Sequence, residues 1–192
     1  MPRVNELKVF QDAGALLEGH FLLSSGLHSA QYLQCALLLR YPSRARKLCS
    51  KLAAKFRGKR IEAVVGPAYG GIIVAYELAR ALGARALFTE RKDGRMQLRR
   101  GFKIKQGERI LVAEDVVTTG GSVKELLRAI RPYKPKIIAI AALIDRKKGQ
   151  APFGKICFKS LKRIKIKAYK PKDCPLCKRG IALVKPGSRA KE

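Results

Sequence analysis

The stretch from Arg109 to Val123, RILVAEDVVTTGGSV, constrains this chain more than any other. Ile110 to Ala113 is a short apolar run, long enough for a buried strand and too short for a helix. Glu114 and Asp115 follow where that strand is expected to end. Val116, Val117, Thr118, Thr119, Gly120, Gly121 and Ser122 come next, small and hydroxyl-rich, and a helical pattern starts near Val123. A loop between a strand and a helix N-terminus offers backbone N–H groups and the positive end of the helix dipole, and both suit a phosphate. The glycines let the backbone approach an anion closely, and Thr118, Thr119 and Ser122 add hydroxyl donors. Two adjacent carboxylates beside an anion site would repel it unless they hold something else, such as sugar hydroxyls or a divalent cation with oxygen ligands. A ribose phosphate satisfies both halves. A bare Gly-Gly would be an ordinary strand–turn–helix with a capping Ser or Thr; the acids are what favour the binding reading. Neither GxGxxG nor GxxxxGK[ST] is present in this stretch.

The surrounding chain repeats the strand–loop–helix theme. Ser43 is expected to cap a helix reaching about Phe56, with Leu48, Leu52 and Phe56 on one stripe and Cys49 beside it in the core. Ile61 to Val65 is a buried-strand candidate, broken by Gly66-Pro-Ala-Tyr-Gly-Gly71 and followed by a helix to about Leu82. This is a second place where an anion can dock. Ala84 to Phe88 reads as a strand. The polar, arginine-rich stretch from Thr89 to Phe102 reads either as a lid beside a site or as a solvated hairpin turning at Asp93-Gly94. Val123 to Ile130 reads as a helix ending before Pro132, and Lys136 to Ile144 as an apolar strand running into Asp145-Arg146. Strands and helices alternate from Ile61 to Ile144, which predicts a parallel α/β sheet. An Arg at a strand's C-terminal end faces the crevice where ligands bind in such sheets, and its fork suits a carboxylate. A surface Arg beside Lys147 and Lys148 is the plainer reading.

At the N-terminal end, Val4 to Glu18 reads as an amphipathic helix with Val4, Leu7, Phe10 (or Ala13) and Leu17 near one face. Phe21 onward and Gln31 to Cys35 read as a strand pair joined at Ser24 to Ser29. A lone His such as His28 is more often a surface or capping residue than a catalyst. At the other end, Ile156 to Ala168 reads as a peripheral strand pair, with Ile164-Lys-Ile-Lys alternating. Cys174-Pro-Leu-Cys177 has the spacing of half a zinc site. Cys35, Cys49, Cys157 and the two His are the remaining partners, and none forms a second pair in sequence, so no metal ligand is assigned from the protein. A redox CxxC lacks thioredoxin-like surroundings.

Several of these strings, taken together, carry a family resemblance. RILVAEDVVTTGGSV resembles the phosphoribosyl-diphosphate (PRPP) motif of the type I phosphoribosyltransferases. FLLSSGLHSAQYLQC resembles the hood segment of the orotate phosphoribosyltransferases, with Ser24 where the family often has Lys. ERKDG followed by LRRGF resembles their catalytic loop, and CPLCKRG with LVKPGSR resembles a C-terminal extension of one bacterial and archaeal branch. The resemblance implies the type I fold, a central parallel sheet flanked by helices with a small N-terminal hood. It implies residues 1–40 as hood and helix, 41–150 as the PRPP-binding core, and 151–192 as strands and basic tail of the same domain. It implies transfer of phosphoribosyl from PRPP to orotate, giving orotidine 5′-phosphate and diphosphate in pyrimidine biosynthesis, with Mg2+ carried by PRPP. By the same resemblance Glu114, Asp115 and Val116 to Ser122 bind PRPP, with Asp115 acting in catalysis. Tyr69 and Gly70 lie in the diphosphate loop, Gly70 standing where some members have Lys. Arg91 and Lys92 align with the catalytic Arg-Lys pair; Arg95, Arg99 or Arg100 can stand in for the loop's further cations. Thr118 and Arg146 meet orotate. A homodimer whose catalytic loop serves the neighbouring site is implied as well.

Charge and composition set the remaining bounds. The chain has 192 residues, 47% of them hydrophobic, enough for one core. No apolar run reaches membrane-span length, and MPRVNELKVFQDAG lacks the apolar core of a signal peptide, so a cytoplasmic protein is expected. Five cysteines at irregular spacing argue against a disulfide framework. The net charge is +28, and the stretch from Arg146 onward, with sixteen Lys and Arg against two acids, holds half of it. Such a field allows non-specific polyanion binding. A PRPP-sensing RNA-binding regulator and a phosphoribosyltransferase for another base are therefore the competing readings.

Overall fold

The computed structural model describes residues 6–23, 25–146, 149 and 152–186. Val4, Ser24, Lys147, Lys148 and the end of the tail string from Gly187 lie outside them. In chain order the elements are α1 (Glu6–Asp12), β1 (Leu16–Leu22), β2 (His28–Leu33), α2 (Cys35–Leu39), α3 (Pro42–Ala53), β3 (Ala63–Pro67), α4 (Gly70–Leu82), β4 (Arg85–Lys92), β5 (Arg95–Leu98), β6 (Arg109–Val117), α5 (Gly121–Ile130), β7 (Lys136–Asp145), β8 (Phe158–Arg163) and α6 (Pro175–Lys178). They form two compact units. One holds residues 39 to 164, and the other joins the residues up to Leu38 with those from Lys165 onward. The C-terminal stretch expected as one piece thus divides: β8 belongs to the sheet, and the rest joins the N-terminal segment.

The larger unit is a six-stranded sheet in the order β5-β4-β3-β6-β7-β8. All neighbours are parallel except the edge strand β5, which runs antiparallel to β4. β3 is buried throughout, and β6 and β7 nearly so. Such continuous apolar strands belong in a sheet covered on both faces. One face carries Ala63, Val65, Ile110, Val112, Ile140 and Ala142, packed with Val123, Leu126 and Ile130 of α5. Strand alternation turns Val64, Leu111, Ala113 and Leu143 to the other face, where α3 and α4 pack. α3 buries Leu48, Cys49 and Leu52, and Phe56 follows in a 3-10 turn. Burial and the nearby Glu77 carboxylate push the Cys49 thiol up to about 12, so it stays a neutral core group. Ser43 is not the cap: Tyr41 is, with Pro42 in the first turn, where a missing N–H costs nothing.

The smaller unit is built on the β1–β2 hairpin. Leu16 pairs with Leu33 and Leu22 with His28, and the register shifts between Glu18 and Phe21. The helix expected over Val4 to Glu18 therefore ends at Asp12, and Leu16–Glu18 are strand. Their apolar spacing fits a helix face, but their backbone groups find partners in Tyr32 and Gln31. The C-terminal segment flanks the hairpin. Tyr169 exchanges backbone hydrogen bonds with His28 (2.8 and 2.9 Å), and Val184 bonds both His20 and Leu22 (2.8 Å each). Ile164 to Ala168 alternate in exposure as expected but form no ladder; β8 is a single strand, parallel to β7. Among the described residues no helix is long and apolar enough to cross a membrane.

Candidate functional site

The candidate site is built where β6 ends. The strand does not stop at Ala113. It continues through the acids to Val117, because β7 pairs with it as far as Asp145. Glu114 and Asp115 are therefore strand residues, held by a ladder rather than carried on a loop. Glu114 is buried at 7% exposure, Asp115 half-buried. The N–H of Asp115 donates to Glu114 Oε1 (3.1 Å), and that of Val116 to Asp115 Oδ1 (2.7 Å). Burial, then the neighbouring Asp115 charge, pushes the Glu114 carboxyl well above the usual carboxylate range. Burial raises Asp115 less far, against the hydrogen bonds that favour its ionised form. Adjacent buried carboxyls each disfavour the other's ionised form, and a cation or hydroxyl donors would offset that cost.

The chain then turns through exposed Thr118 and Thr119 to Gly120 and enters α5 at Gly121. Gly120 has φ 76°, and a Cβ there would lie 2.7 Å from the Phe153 ring. A side chain at position 120 would overlap Phe153 and Pro152. The first N–H groups of α5 have no partner within the helix, so this turn offers backbone donors together with the hydroxyls of Thr118, Thr119 and Ser122.

Two neighbouring strand ends frame it. The N–H of Arg146 donates to Val117 O (2.8 Å), fixing Arg146, half-buried, beside the end of β6. Asp145 stays behind in the sheet, its carboxylate 3.7 Å from Arg163 Nε. On the other side, β3 leads to Tyr69, 83% exposed, and Gly70 at the start of α4. A Cβ on Gly70 would lie 2.7 Å from Asp115 Cγ. The diphosphate loop and the acid pair expected from the sequence are thus in contact, and any larger residue at 70 would displace the carboxylate.

The arginine-rich stretch is a hairpin. Arg91 pairs with Met96 and Lys92 with Arg95, and Asp93 and Gly94 turn with φ 50° and 73°, the left-handed pair of a tight hairpin. β5 packs on α5, the helix that the Thr118–Gly120 turn leads into. Arg91 pairs with Glu125 of α5 and also donates to Gly94 O (3.2 Å). Lys92 is exposed next to the turn. Of the three further arginines, Arg99 and Arg100 both hold Glu90 (3.1 and 2.9 Å), and the Arg100 hydrogen bond lowers the Glu90 carboxyl's pKa. They clamp the hairpin's base. Arg95, exposed beside the turn, is the one presented outward. The sequence signals Glu90 by its sign within an arginine-rich stretch, whereas Glu125, on a separate helix, carries no such local signal. The described residues also leave the buried Thr89 hydroxyl, opposite Pro67 at the end of β3, without a hydrogen-bond partner.

Comparison with known proteins decides the family. Residues 39–177 match the phosphoribosyl transferase domain family. The chain is 51% identical over 185 residues to the orotate phosphoribosyltransferase of Caldicellulosiruptor bescii, covering 96% of this chain and 97% of that one. It belongs to the orotate phosphoribosyltransferase family. A second relative with that name, from Caldanaerobacter subterraneus, is 52% identical over 189 residues, 98% of this chain and 99% of that one. The crystal structure of orotate phosphoribosyltransferase from Aeropyrum pernix superposes with a TM-score of 0.71 at 28% identity, over 82% of this chain and 92% of that one. An adenine phosphoribosyltransferase from Thermoanaerobacter pseudethanolicus shares the fold at TM-score 0.61 and 15% identity, over 70% of this chain and 88% of that one. The type I fold implied by the family resemblance, a central parallel sheet flanked by helices with a small N-terminal hood, is the fold observed, with β5 added antiparallel at one edge and the N-terminal segment formed as the antiparallel β1–β2 hairpin.

Proposed function

We propose that this orotate phosphoribosyltransferase joins orotate to the ribose 5-phosphate of PRPP at the end of β6. The observation that carries this reading is the acid pair Glu114-Asp115 running directly into the Thr118–Gly120 turn and the N-terminus of α5, with Arg146 hydrogen-bonded alongside. Backbone N–H groups from Val116 to Ser122, with the hydroxyls of Thr118, Thr119 and Ser122, take the 5′-phosphate. Glu114 and Asp115 take the ribose hydroxyls and face the sugar as it becomes positive. The bond from the anomeric carbon to the diphosphate breaks and the bond to the orotate ring nitrogen forms, through an oxocarbenium-like state as in glycoside cleavage, and the proton of that nitrogen leaves with the basic diphosphate. The Asp115 carboxylate favours that cation.

Arg91 and Lys92 neutralise the departing diphosphate, with the Tyr69–Gly70 backbone on its other side. The donor set at the site, carboxylates with hard oxygens and no thiol or imidazole, fits Mg2+ brought in with PRPP, which would stabilise the same leaving-group charge. Thr118 and Arg146 hold orotate, the Arg146 fork matching its carboxylate. Closure of the β4–β5 hairpin excludes water and protects PRPP from hydrolysis, and in a homodimer this hairpin would serve the partner's site.

The test is loss of orotate absorbance with PRPP and Mg2+, with uracil, hypoxanthine and adenine run in parallel. Orotate loss that requires every component supports the reading. Consumption of another base instead overturns the Arg146 assignment. PRPP binding without turnover of any base would favour a regulator that uses the +28 charge.

A further inference from the structure

The smaller unit gathers the two cysteines left unexplained by the sequence and both histidines of the chain. Cys174 caps α6 and Cys177 lies within it. His20 sits on β1 where the hairpin register shifts, and His28 opens β2. A bulge of this kind, with two residues facing one, re-aims a side chain. His20 Nε2 lies 2.9 Å from His28 Nδ1, 3.5 Å from Cys174 Sγ and 3.7 Å from Cys177 Sγ, and His28 Nδ1 lies 3.2 Å from Cys177 Sγ. All four donor atoms fall within 4.8 Å of one another. Bond lengths of about 2.0–2.1 Å to nitrogen and 2.3 Å to sulfur make the edges of a tetrahedral N2S2 zinc site roughly 3.3–3.8 Å. Four of the separations run from 2.9 to 3.7 Å, from just below that range into it, and the widest, at up to 4.8 Å, closes by about 1 Å when an ion draws the ligands in.

A second observation concerns the proton on His20. Its Nδ1 lies 2.7 Å from the carbonyl oxygen of Ile181. A carbonyl only accepts, so Nδ1 carries the hydrogen and Nε2 turns its lone pair into the cluster. This is the outer hydrogen bond that fixes the tautomer and orientation of a metal-bound imidazole. His20, His28 and Cys174 are buried, at 3%, 6% and 0% exposure, and Cys177 closes the cluster at the surface. Both thiols are free.

We propose that His20, His28, Cys174 and Cys177 bind one zinc ion that ties the N-terminal hairpin to the C-terminal segment. Four protein ligands leave no open position, which makes the site structural rather than catalytic. Two thiolates with two imidazoles in a tetrahedral set select zinc over the hard cation proposed for the PRPP chemistry. Backbone hydrogen bonds from Tyr169 and Val184 already bring the two segments together. The ion links ligands 154 positions apart in the sequence, His20 and Cys174, so binding is coupled to folding of this unit.

The full chain, purified without chelator, is expected to retain about one zinc per chain after dialysis. Replacing zinc with Co(II) alone should give thiolate charge-transfer and tetrahedral d–d absorption. Cys174→Ser with Cys177→Ser should abolish both metal retention and those bands. Should that variant fail to fold, the wild-type cobalt spectrum and a zinc-induced rise in melting temperature decide the matter. Two results would overturn the site: wild-type protein that holds no zinc and gives no thiolate bands with Co(II), or one isolated with a Cys174–Cys177 disulfide. Neither measurement depends on which base the enzyme uses.

Discussion

Arg91 on β4 forms an ion pair with Glu125 on α5, the helix that follows the Thr118–Gly120 turn. The guanidinium proposed to meet the diphosphate is therefore held by a carboxylate of the neighbouring element, and substrate must compete for it. Both partners are partly exposed, at 42% and 32%, so the pair is worth at most about 1 kcal/mol. Glu125→Gln is expected to leave the melting temperature nearly unchanged and to tighten PRPP binding up to about fivefold. Calorimetric titration with PRPP measures it. Weaker binding would mean that Glu125 supports the site rather than restrains it.

Lys92 extends from the exposed end of β4 beside the hairpin turn. Its proposed contact is made with charge that develops on the leaving diphosphate, so its loss should fall on turnover. Lys92→Ala is expected to lower kcat by about 10²–10³ while the KM for orotate moves only a few-fold. An unchanged kcat would remove Lys92 from the mechanism.

Gly70 is in contact with the acid pair. Gly70→Ala places a methyl against the Asp115 carboxylate, and relieving that overlap costs about 1–3 kcal/mol. The variant is expected to lose PRPP affinity and thermal stability together. A fully stable Gly70→Ala enzyme with ordinary PRPP kinetics would show that Asp115 is free to move.

Glu114 gives the ligand-free protein a defined pH dependence. Its carboxyl is raised well above the ordinary 4.5 by burial and by Asp115. The folded chain therefore keeps a proton that the unfolded chain has already lost. Stability falls as pH rises above about 4.5 toward the raised folded value, and is greatest below that window. Urea midpoints measured across roughly pH 5 to 8 should fall for the wild type and flatten in Glu114→Gln. The same variant should lose activity, because a neutral amide cannot favour the developing sugar cation. A slope unchanged by the substitution would place the titration elsewhere.

Much of the site was legible because its chemistry is local. Ile110 to Ser122 announces strand, acids, turn and helix in one continuous string, and Lys136 to Arg146 announces the adjacent strand end. What the string does not contain is its partners. β6 runs on through Glu114 and Asp115 because β7 offers a ladder as far as Asp145, and Leu16–Glu18 become strand because Gln31–Leu33 lie opposite. Both are tertiary pairings that override local pattern. The same holds for Arg91, whose partner Glu125 is on another element, and most of all for Cys174 and Cys177. Their half of a cluster was visible as CxxC, but the other half, His20 and His28, lies at the opposite end of the chain.

The proposed site divides its labour: the β6 acids and turn would hold the sugar phosphate, and Arg146 would select the base. Initial rates of Arg146→Ala with orotate and PRPP varied independently test it most directly. Losing a charge-assisted fork to a carboxylate, worth about 1.5–3 kcal/mol, should raise the KM for orotate by roughly 10- to 150-fold while the KM for PRPP stays within about twofold. An equal rise in both, or a change confined to PRPP, would contradict the division and move Arg146 to the phosphate side of the site.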